Sequence, residues 1–236
     1  MYVRFEGLEG LSMSKVFYLI LTLFITINDF TYSEEKISSS LEGVISVANV
    51  SGDLVPAKDI LIWVNIPDHS PSRKPRVEKM NQKNKEFEPR VMIAPVNTEV
   101  YFPNLDQIYH SIFSLNNIKK IDLGKYKGKG EAVIFEHPGI YPIGCEIHPW
   151  MSAFVVIVDT PFYAKSGLRG NYRIRDLVPG KYTFEVWSSS FKEQARFDFE
   201  LKPGKNIFNW SAPLKLLKKK IKRRNINKKS RFKGLY

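Results

Sequence analysis

Residues 138–151 read Pro138-Gly-Ile-Tyr-Pro-Ile-Gly-Cys145-Glu-Ile-His148-Pro-Trp-Met151. The proline–glycine turn leads into a strand that ends at Cys145, a tight loop follows, and a second apolar strand leaves after Met151. Cys145, His148 and Met151 therefore share one loop between two strands. A thiolate and a thioether suit Cu(I), and imidazole binds both Cu(I) and Cu(II), whereas zinc rarely binds Met. This donor set favours a copper ion that cycles between its two oxidation states.

The loop has seven residues and cannot enclose a metal ion by itself, so a further ligand has to come from another part of the chain. His110 is the natural candidate because it follows a polar turn, residues 104–107, and opens an apolar strand, residues 111–115. Two His and one Cys with a distant Met are the ligands of blue-copper sites. Taken singly, Cys145 could be a core residue, His110 the end of a strand and Met151 packing. Their joint occurrence favours one copper ion.

The other histidines argue against a second metal site. His137 lies eight residues before Cys145, which corresponds to roughly 25 Å along an extended strand. His69 lies in a polar loop and has no partner motif. Because a multicopper oxidase or a copper nitrite reductase needs a second, histidine-rich copper site, we do not expect an enzyme.

The distribution of apolar residues predicts an all-β protein. Short segments rich in Val, Ile, Phe and Tyr are separated by Gly and Pro turn signals. Val91/Ile93 and Val100/Phe102 alternate with polar residues, as expected for strands with one buried face. Residues 68–89 are polar and proline-rich and are predicted to form a loop or linker. The predicted strands are residues 43–50, 59–66, 90–94, 99–102, 111–115, 131–135, 139–145, 153–158, 171–175, 181–187, 195–201 and 206–210.

The first part of the chain has the pattern of a secretory signal peptide. Lys15 precedes an apolar run, residues 16–27, and small and polar residues lead to Ser33, where cleavage is expected. The run is shorter than the roughly 20 residues of a membrane span; a core strand or an uncleaved anchor is the alternative. Residues 1–33 are thus predicted to direct export to the periplasm or another extracytoplasmic compartment.

The predicted export raises the question of what the thiol of the single cysteine, Cys145, is bound to. Exported proteins usually pair their cysteines in disulfides, and Cys145 has no second cysteine with which to pair. Either Cys145 is a small buried hydrophobe or its thiol is chemically occupied.

The net charge of +12 is concentrated at one end of the chain. Residues 213–236 contain eleven Lys or Arg and no acid, so the remainder is close to neutral. This distribution argues against nucleic acid as a partner. We interpret residues 213–236 as a basic tail, a solvated arm rather than a short amphipathic helix. It could contact an anionic membrane surface or an acidic partner.

Four motifs in residues 82–160 resemble the cupredoxins: Phe102-Pro-Asn104, His110-Ser-Ile-Phe, Pro138-Gly-x-Tyr141 and Cys145-x-x-His148-x-x-Met151. The short spacing within the last motif is most similar to amicyanin. The whole chain resembles, more loosely, the plastocyanin-like proteins described as methylamine utilisation proteins.

The cupredoxin resemblance implies a role for each residue of the ligand loops. His110, Cys145 and His148 would be the equatorial ligands of one type 1 copper ion, and Met151 would be the weak axial ligand. A polar side chain at Ser111 would tie the two ligand loops together, although many relatives carry the longer Asn there. Trp150 could belong either to the core or to an apolar patch for docking and electron transfer.

The flanking segments, residues 42–67 and 163–212, together resemble a carboxypeptidase regulatory-like (prealbumin-like) β-sandwich. The matching pieces are Gly-x-Ile from Gly43, Pro-x-x-x-Ile from Pro56, Gly-x-Tyr-x-Ile from Gly170 and Leu-x-Pro-Gly-x-Tyr from Leu177. Each flank alone has too few strands to bury a face. We therefore predict a Greek-key cupredoxin β-sandwich combined with a split prealbumin-like β-sandwich; two unrelated sets of decorating strands are the alternative.

The function predicted from the sequence is transfer of single electrons between redox protein partners outside the cytoplasm. Copper delivery or storage is the first alternative, but copper carriers usually display clusters of exposed Met or His, and this chain has five Met and four His. A carbohydrate- or protein-binding module is the second alternative, which a fold alone does not decide.

Overall fold

The computed structural model describes residues 38–49, 51–64, 66 and 76–211. The predicted signal peptide, His69 and the predicted basic tail lie outside these residues. Within the described part of the chain every regular element is a β-strand, which confirms the all-β prediction. No helical segment of these residues has the length and apolarity needed to cross a membrane.

Each of the twelve predicted strands overlaps at least one strand of the structure. In chain order the strands of the structure are β1 (Ser39–Ala48), β2 (Leu54–Pro56), β3 (Leu61–Val64), β4 (Arg76–Lys79), β5 (Asn81–Lys83), β6 (Glu86–Glu88), β7 (Val91–Pro95), β8 (Thr98–Tyr101), β9 (His110–Leu115), β10 (Lys120–Tyr126), β11 (Ala132–Phe135), β12 (Gly139–Gly144), β13 (Ser152–Val158), β14 (Tyr163–Lys165), β15 (Asn171–Leu177), β16 (Gly180–Trp187), β17 (Ala195–Leu201), β18 (Gly204–Ile207) and β19 (Trp210–Ser211).

The middle of the chain forms a first sandwich from two sheets. One sheet has the order β10-β9-β12-β13-β7, with β7 parallel to β13, and the other has the order β11-β8-β4. Side chains from both sheets share one core: Val100 and Phe135 come from the smaller sheet, and Ile112, Tyr141 and Val155 come from the larger one. Alternation along each strand supplies these inward-facing residues.

The two flanks build a second sandwich together. β1 is its central strand: it pairs with β15 and β18 and, near its end, with β2 and β19. The facing sheet has the order β14-β3-β16-β17. Leu41 and Ile45 of β1 pack with Phe184 of β16 and Tyr172 of β15 in the shared core. Strands from before and after the first sandwich are therefore neighbours here, while the resemblance to a regulatory-like domain stays a prediction.

A third apolar cluster joins the two sandwiches. The outer face of β7 and β13, with Val91 and Val156, packs against Trp63 of β3 and Trp187 of β16. The Trp187 ring also lies edge-on to Phe154, with ring centroids 5.2 Å apart. β13 is thus buried on both faces, which explains why residues 153–158 form an unbroken apolar run.

The predicted loop or linker at residues 68–89 is wrong for its second half, and three further strands, β2, β10 and β14, were not predicted. β4, β5 and β6 fall within residues 76–88, and β4 pairs with β8, so the first sandwich begins before residue 82. β10 was missed at the edge of the larger sheet. β4, β5 and β6 are mostly exposed and polar and carry little apolar alternation, whereas Ile121 and Leu123 of β10 do alternate with polar residues.

Replacing Trp187 tests the cluster between the sandwiches. Trp187 is 9% exposed, and Trp187→Ala is expected to lower the free energy of unfolding by about 3 kcal/mol, since it leaves a cavity in a packed interface. Trp150→Ala is the matched control because Trp150 is 64% exposed; its expected effect is below about 0.5 kcal/mol. Urea denaturation of the metal-free chain measures both. Equal losses for the two variants would contradict the interface.

Candidate metal centre

Two neighbouring strands bring the first two predicted ligands together. His110 is the first residue of β9, and Cys145 directly follows the last residue of β12. The two strands are neighbours in the larger sheet, with Gly144 opposite Phe113. The end of β12 is therefore held beside the start of β9, and residues separated by 35 positions meet.

The third predicted ligand comes from the turn between β12 and β13. These strands form a hairpin whose register places Gly144 opposite Ser152. Within the connecting loop, the Met151 N–H donates to the carbonyl of His148 at 2.8 Å. This closed turn carries His148 back toward Cys145 and His110.

Three donor atoms converge at this point. The Nδ1 atoms of His110 and His148 are 3.0 Å apart, and Cys145 Sγ lies 4.0 Å and 3.9 Å from them, respectively. A point equidistant from the three atoms lies about 2.1 Å from each, close to metal–nitrogen and metal–thiolate bond lengths of about 2.0–2.3 Å. Among the described residues, this is the one group of three His, Cys, Asp or Glu side chains that could hold a metal ion. Two imidazoles and a thiol at these separations fit copper.

Burial differs among the predicted ligands. His110 and Cys145 are 0% and 3% exposed, whereas His148 is partly exposed. Burial lowers the pKa of His148, and the nearby His110 and Lys85 lower it further against the opposing effect of Asp106, so the neutral imidazole that binds metal is favoured.

Met151 lies in the same core cluster as Cys145 and is almost fully buried. The thioether side chain is thus withdrawn from solvent at the end of the ligand loop. Its role as a weak axial ligand stays a prediction.

Ser111 does tie the two ligand segments together. Its hydroxyl accepts a hydrogen bond from the Glu146 N–H at 2.9 Å, and its own N–H points at Cys145 Sγ at 3.4 Å. Ser111 of the first ligand segment thus contacts both Cys145 and the residue that follows it. The shorter Ser therefore spans the same gap for which the resemblance implies a polar side chain.

Asp106 is part of the site, and the sequence analysis missed it. His110 Nε2 donates to Asp106 Oδ2 at 2.8 Å. Burial raises the pKa of Asp106, but hydrogen bonds from His110, Lys85 and Asn84 outweigh burial and hold this pKa below its usual value. The available signal was an acid four residues before His110 in a polar turn, a pattern too common to single out.

Trp150 is exposed, so its interpretation as a core residue is wrong. Its ring lies edge-on to His148, with centroids 5.1 Å apart. Ile147 and Tyr109, next to the two histidines in the sequence, are also exposed. The exposed Trp150 ring thus lies beside the partly exposed imidazole of His148.

His137 stays apart from the donor cluster. Its side chain is exposed, and its carbonyl accepts a hydrogen bond from the Tyr141 hydroxyl at 2.8 Å. This contact is consistent with the predicted turn role of His137.

No protein-family model matches the chain. No curated protein matches it either.

Solved structures match part of the chain. A Cu-containing nitrite reductase from Thermus scotoductus SA-01 is 22% identical over 42% of this chain and 25% of its own length, with a TM-score of 0.34. A purple cupredoxin from Nitrosopumilus maritimus is 23% identical over 34% of this chain and 99% of its own, with a TM-score of 0.31. A reduced amicyanin variant is 18% identical over 34% of this chain and 80% of its own, with a TM-score of 0.32.

Two serines of β9 form a matched pair for testing the tie. Ser111→Ala removes the acceptor of the Glu146 N–H and is expected to lower the free energy of unfolding by about 1 kcal/mol. Ser114 is buried too, but its hydroxyl has no hydrogen-bond partner among the described residues. Ser114→Ala should therefore change stability by less than about 0.5 kcal/mol. Chemical denaturation and hydrogen exchange at the Glu146 amide measure the difference. Unchanged exchange in Ser111→Ala would show that the tie is not formed in solution.

Proposed function

We propose that this chain binds one type 1 copper ion through His110, Cys145 and His148, with Met151 as a weak axial ligand, and carries single electrons between redox proteins. The observation that supports this proposal is the convergence of two imidazole Nδ1 atoms and one thiol Sγ at distances of 3.0–4.0 Å. Copper held by such donors supplies a reversible one-electron couple.

The residues around the centre suit electron transfer because they resist movement. His110 and Cys145 sit at the ends of hydrogen-bonded strands, and the Ser111 hydroxyl fixes the backbone directly after Cys145. A donor set that keeps one geometry in both oxidation states needs little rearrangement when an electron arrives or leaves. Burial of His110 and Cys145 also keeps water away from the donor atoms.

His148 is the proposed point of electron entry and exit. It is the partly exposed donor, and the exposed ring of Trp150 lies beside it. Trp150 and Ile147 would form the apolar contact through which a partner approaches that imidazole. Apolar surface beside the exposed ligand favours docking without a large desolvation cost for polar groups.

The remaining parts of the proposal rest on the sequence. Export through residues 1–33 would place the protein in the periplasm or another extracytoplasmic compartment. The tail at residues 213–236 would add contacts to an anionic membrane surface or an acidic partner. His69 and His137 cannot supply the second, histidine-rich copper site of a copper oxidase or nitrite reductase, so the protein would act as a carrier and not as an enzyme.

The visible spectrum of the Cu(II)-loaded mature chain tests the copper–thiolate assignment. The wild type is expected to bind one copper per chain, to show an intense thiolate-to-copper band and to have a reversible potential. Cys145→Ser and His148→Ala should lose the band. His137→Ala is the matched control and should keep it, since His137 is exposed and lies outside the cluster. A colourless wild type, or a band that survives Cys145→Ser, would refute the assignment.

Copper exchange separates an electron carrier from a copper-delivery protein. We expect the loaded chain to retain copper for hours in the presence of a competing Cu(I) chelator while its potential stays reversible. Transfer of copper to the chelator within seconds would favour delivery, with copper as the cargo.

A further inference from the structure

The carboxylate of Asp106 accepts hydrogen bonds from two parts of the chain, the Asn84–Lys85 turn and His110. Its Oδ1 accepts from the Asn84 N–H at 2.7 Å, and its Oδ2 accepts from the Lys85 N–H at 2.8 Å. The same Oδ2 accepts from His110 Nε2 at 2.8 Å. Charge-assisted hydrogen bonds of this kind are stronger than neutral ones and fix the direction of the carboxylate.

The two backbone donors belong to the turn of the β5–β6 hairpin. Asn84 and Lys85 both have positive φ, 55° and 58°, as in a two-residue type I′ turn. Successive N–H groups in such a turn make a small concave site for an anion. Asp106 occupies that site, so the hairpin turn acts as a socket for the carboxylate.

The hairpin is also fixed to the segment that leads to His110. The Gln82 N–H donates to the Pro103 carbonyl at 2.8 Å, and the Leu105 N–H donates to the Gln82 carbonyl at 2.8 Å. Gln82 is fully buried. The socket and the carboxylate therefore belong to one rigid contact between the hairpin and residues 103–106.

The hydrogen bond from His110 Nε2 to Asp106 determines whether the other ring nitrogen, Nδ1, can bind a metal ion. A neutral imidazole carries one proton, and donation from Nε2 to Asp106 leaves Nδ1 with a free lone pair. That Nδ1 lies 3.0 Å from His148 Nδ1 and 4.0 Å from Cys145 Sγ. Only this tautomer presents His110 to the centre as a metal ligand.

We propose that Asp106, held by the backbone of the Asn84–Lys85 turn, is a positioning residue that sets the tautomer and ring orientation of His110. The β5–β6 hairpin then helps to orient the ligand His110, although the hairpin itself supplies no ligand. This inference rests on the proposed function in taking His110 as a ligand.

NMR of the metal-free full-length chain tests the proposal without copper. With 15N-labelled histidine at one neutral pH, wild-type His110 is expected to be protonated at Nε2, with slow exchange of that proton. Asp106→Leu should give a mixture of tautomers and fast exchange, and the His137 signals should stay unchanged. A wild type protonated at Nδ1 alone, or an unchanged His110 in Asp106→Leu, would overturn the proposal.

Two milder variants keep the test valid if Asp106→Leu fails to fold. Asp106→Asn preserves shape, but its amide group cannot accept from all three donors, so exchange of the His110 Nε2 proton should be several-fold faster than in the wild type. Lys85→Gly removes the side-chain charge but keeps the turn N–H and the positive φ. Its His110 signals should match the wild type. A changed tautomer in Lys85→Gly, or unchanged exchange in Asp106→Asn, would count against the backbone socket.

Copper affinity is the second readout. Loss of an outer hydrogen-bond partner of a ligand typically weakens metal binding about 10–100-fold, which is the expected effect of Asp106→Leu, whereas His137→Ala, at an exposed residue outside the cluster, should stay within about threefold of the wild type. Equal affinities of Asp106→Leu and the wild type would overturn the positioning role. If the wild type itself bound no copper, the proposed function would fail, while the NMR result would still decide the role of Asp106.

Discussion

The pairing of β9 with β12 is the constraint on which the candidate centre depends. It holds the first residue of one strand beside the residue that follows the other, so His110 and Cys145 meet although 35 positions separate them. Ser111 then joins the two segments through its N–H and its hydroxyl. Because side chains alternate along a strand, a slip of one residue would turn His110 away from Cys145 and offer Ser111 or Tyr109 instead. The register of this strand pair thus sets the distance between His110 and Cys145, while the β12–β13 turn places His148.

The sheet that contains this strand pair is covered on both faces in part. Tyr141 and Ile143 of β12 pack into the core of the first sandwich. On the opposite face, Val156 of β13 and Val91 of β7 pack against the second sandwich, and Ile140 of β12 packs against the same cluster. The second sandwich therefore covers β7, β13 and part of β12, and it supplies no donor atom to the centre.

The sequence predicted most of the strands that bury apolar side chains, and it predicted the donor set because Cys145, His148 and Met151 lie within one short loop. It did not predict β4, β5 and β6, which are polar and carry little apolar alternation, nor the short strands β2 and β14 and the edge strand β10. The contact between Asp106 and the Asn84–Lys85 turn could not be predicted from the sequence for a different reason. Its hydrogen bonds join Asn84 to Asp106 across 22 positions, through backbone N–H groups that every residue possesses. Such a contact leaves no signature in residue type or spacing.

The two imidazoles of the centre are held in opposite ways. His110 is fully buried, and its outer nitrogen is occupied by Asp106, so that side of the centre is closed by the β5–β6 hairpin. His148 is partly exposed and has the exposed Trp150 ring as a neighbour. Among the described residues, the His148 side is therefore where the donor cluster comes nearest to solvent. One imidazole is anchored to the protein while the other faces outward, so geometry and access are controlled by different residues. For that reason, changes at Trp150 can alter the approach of a partner without disturbing the distances among the donors.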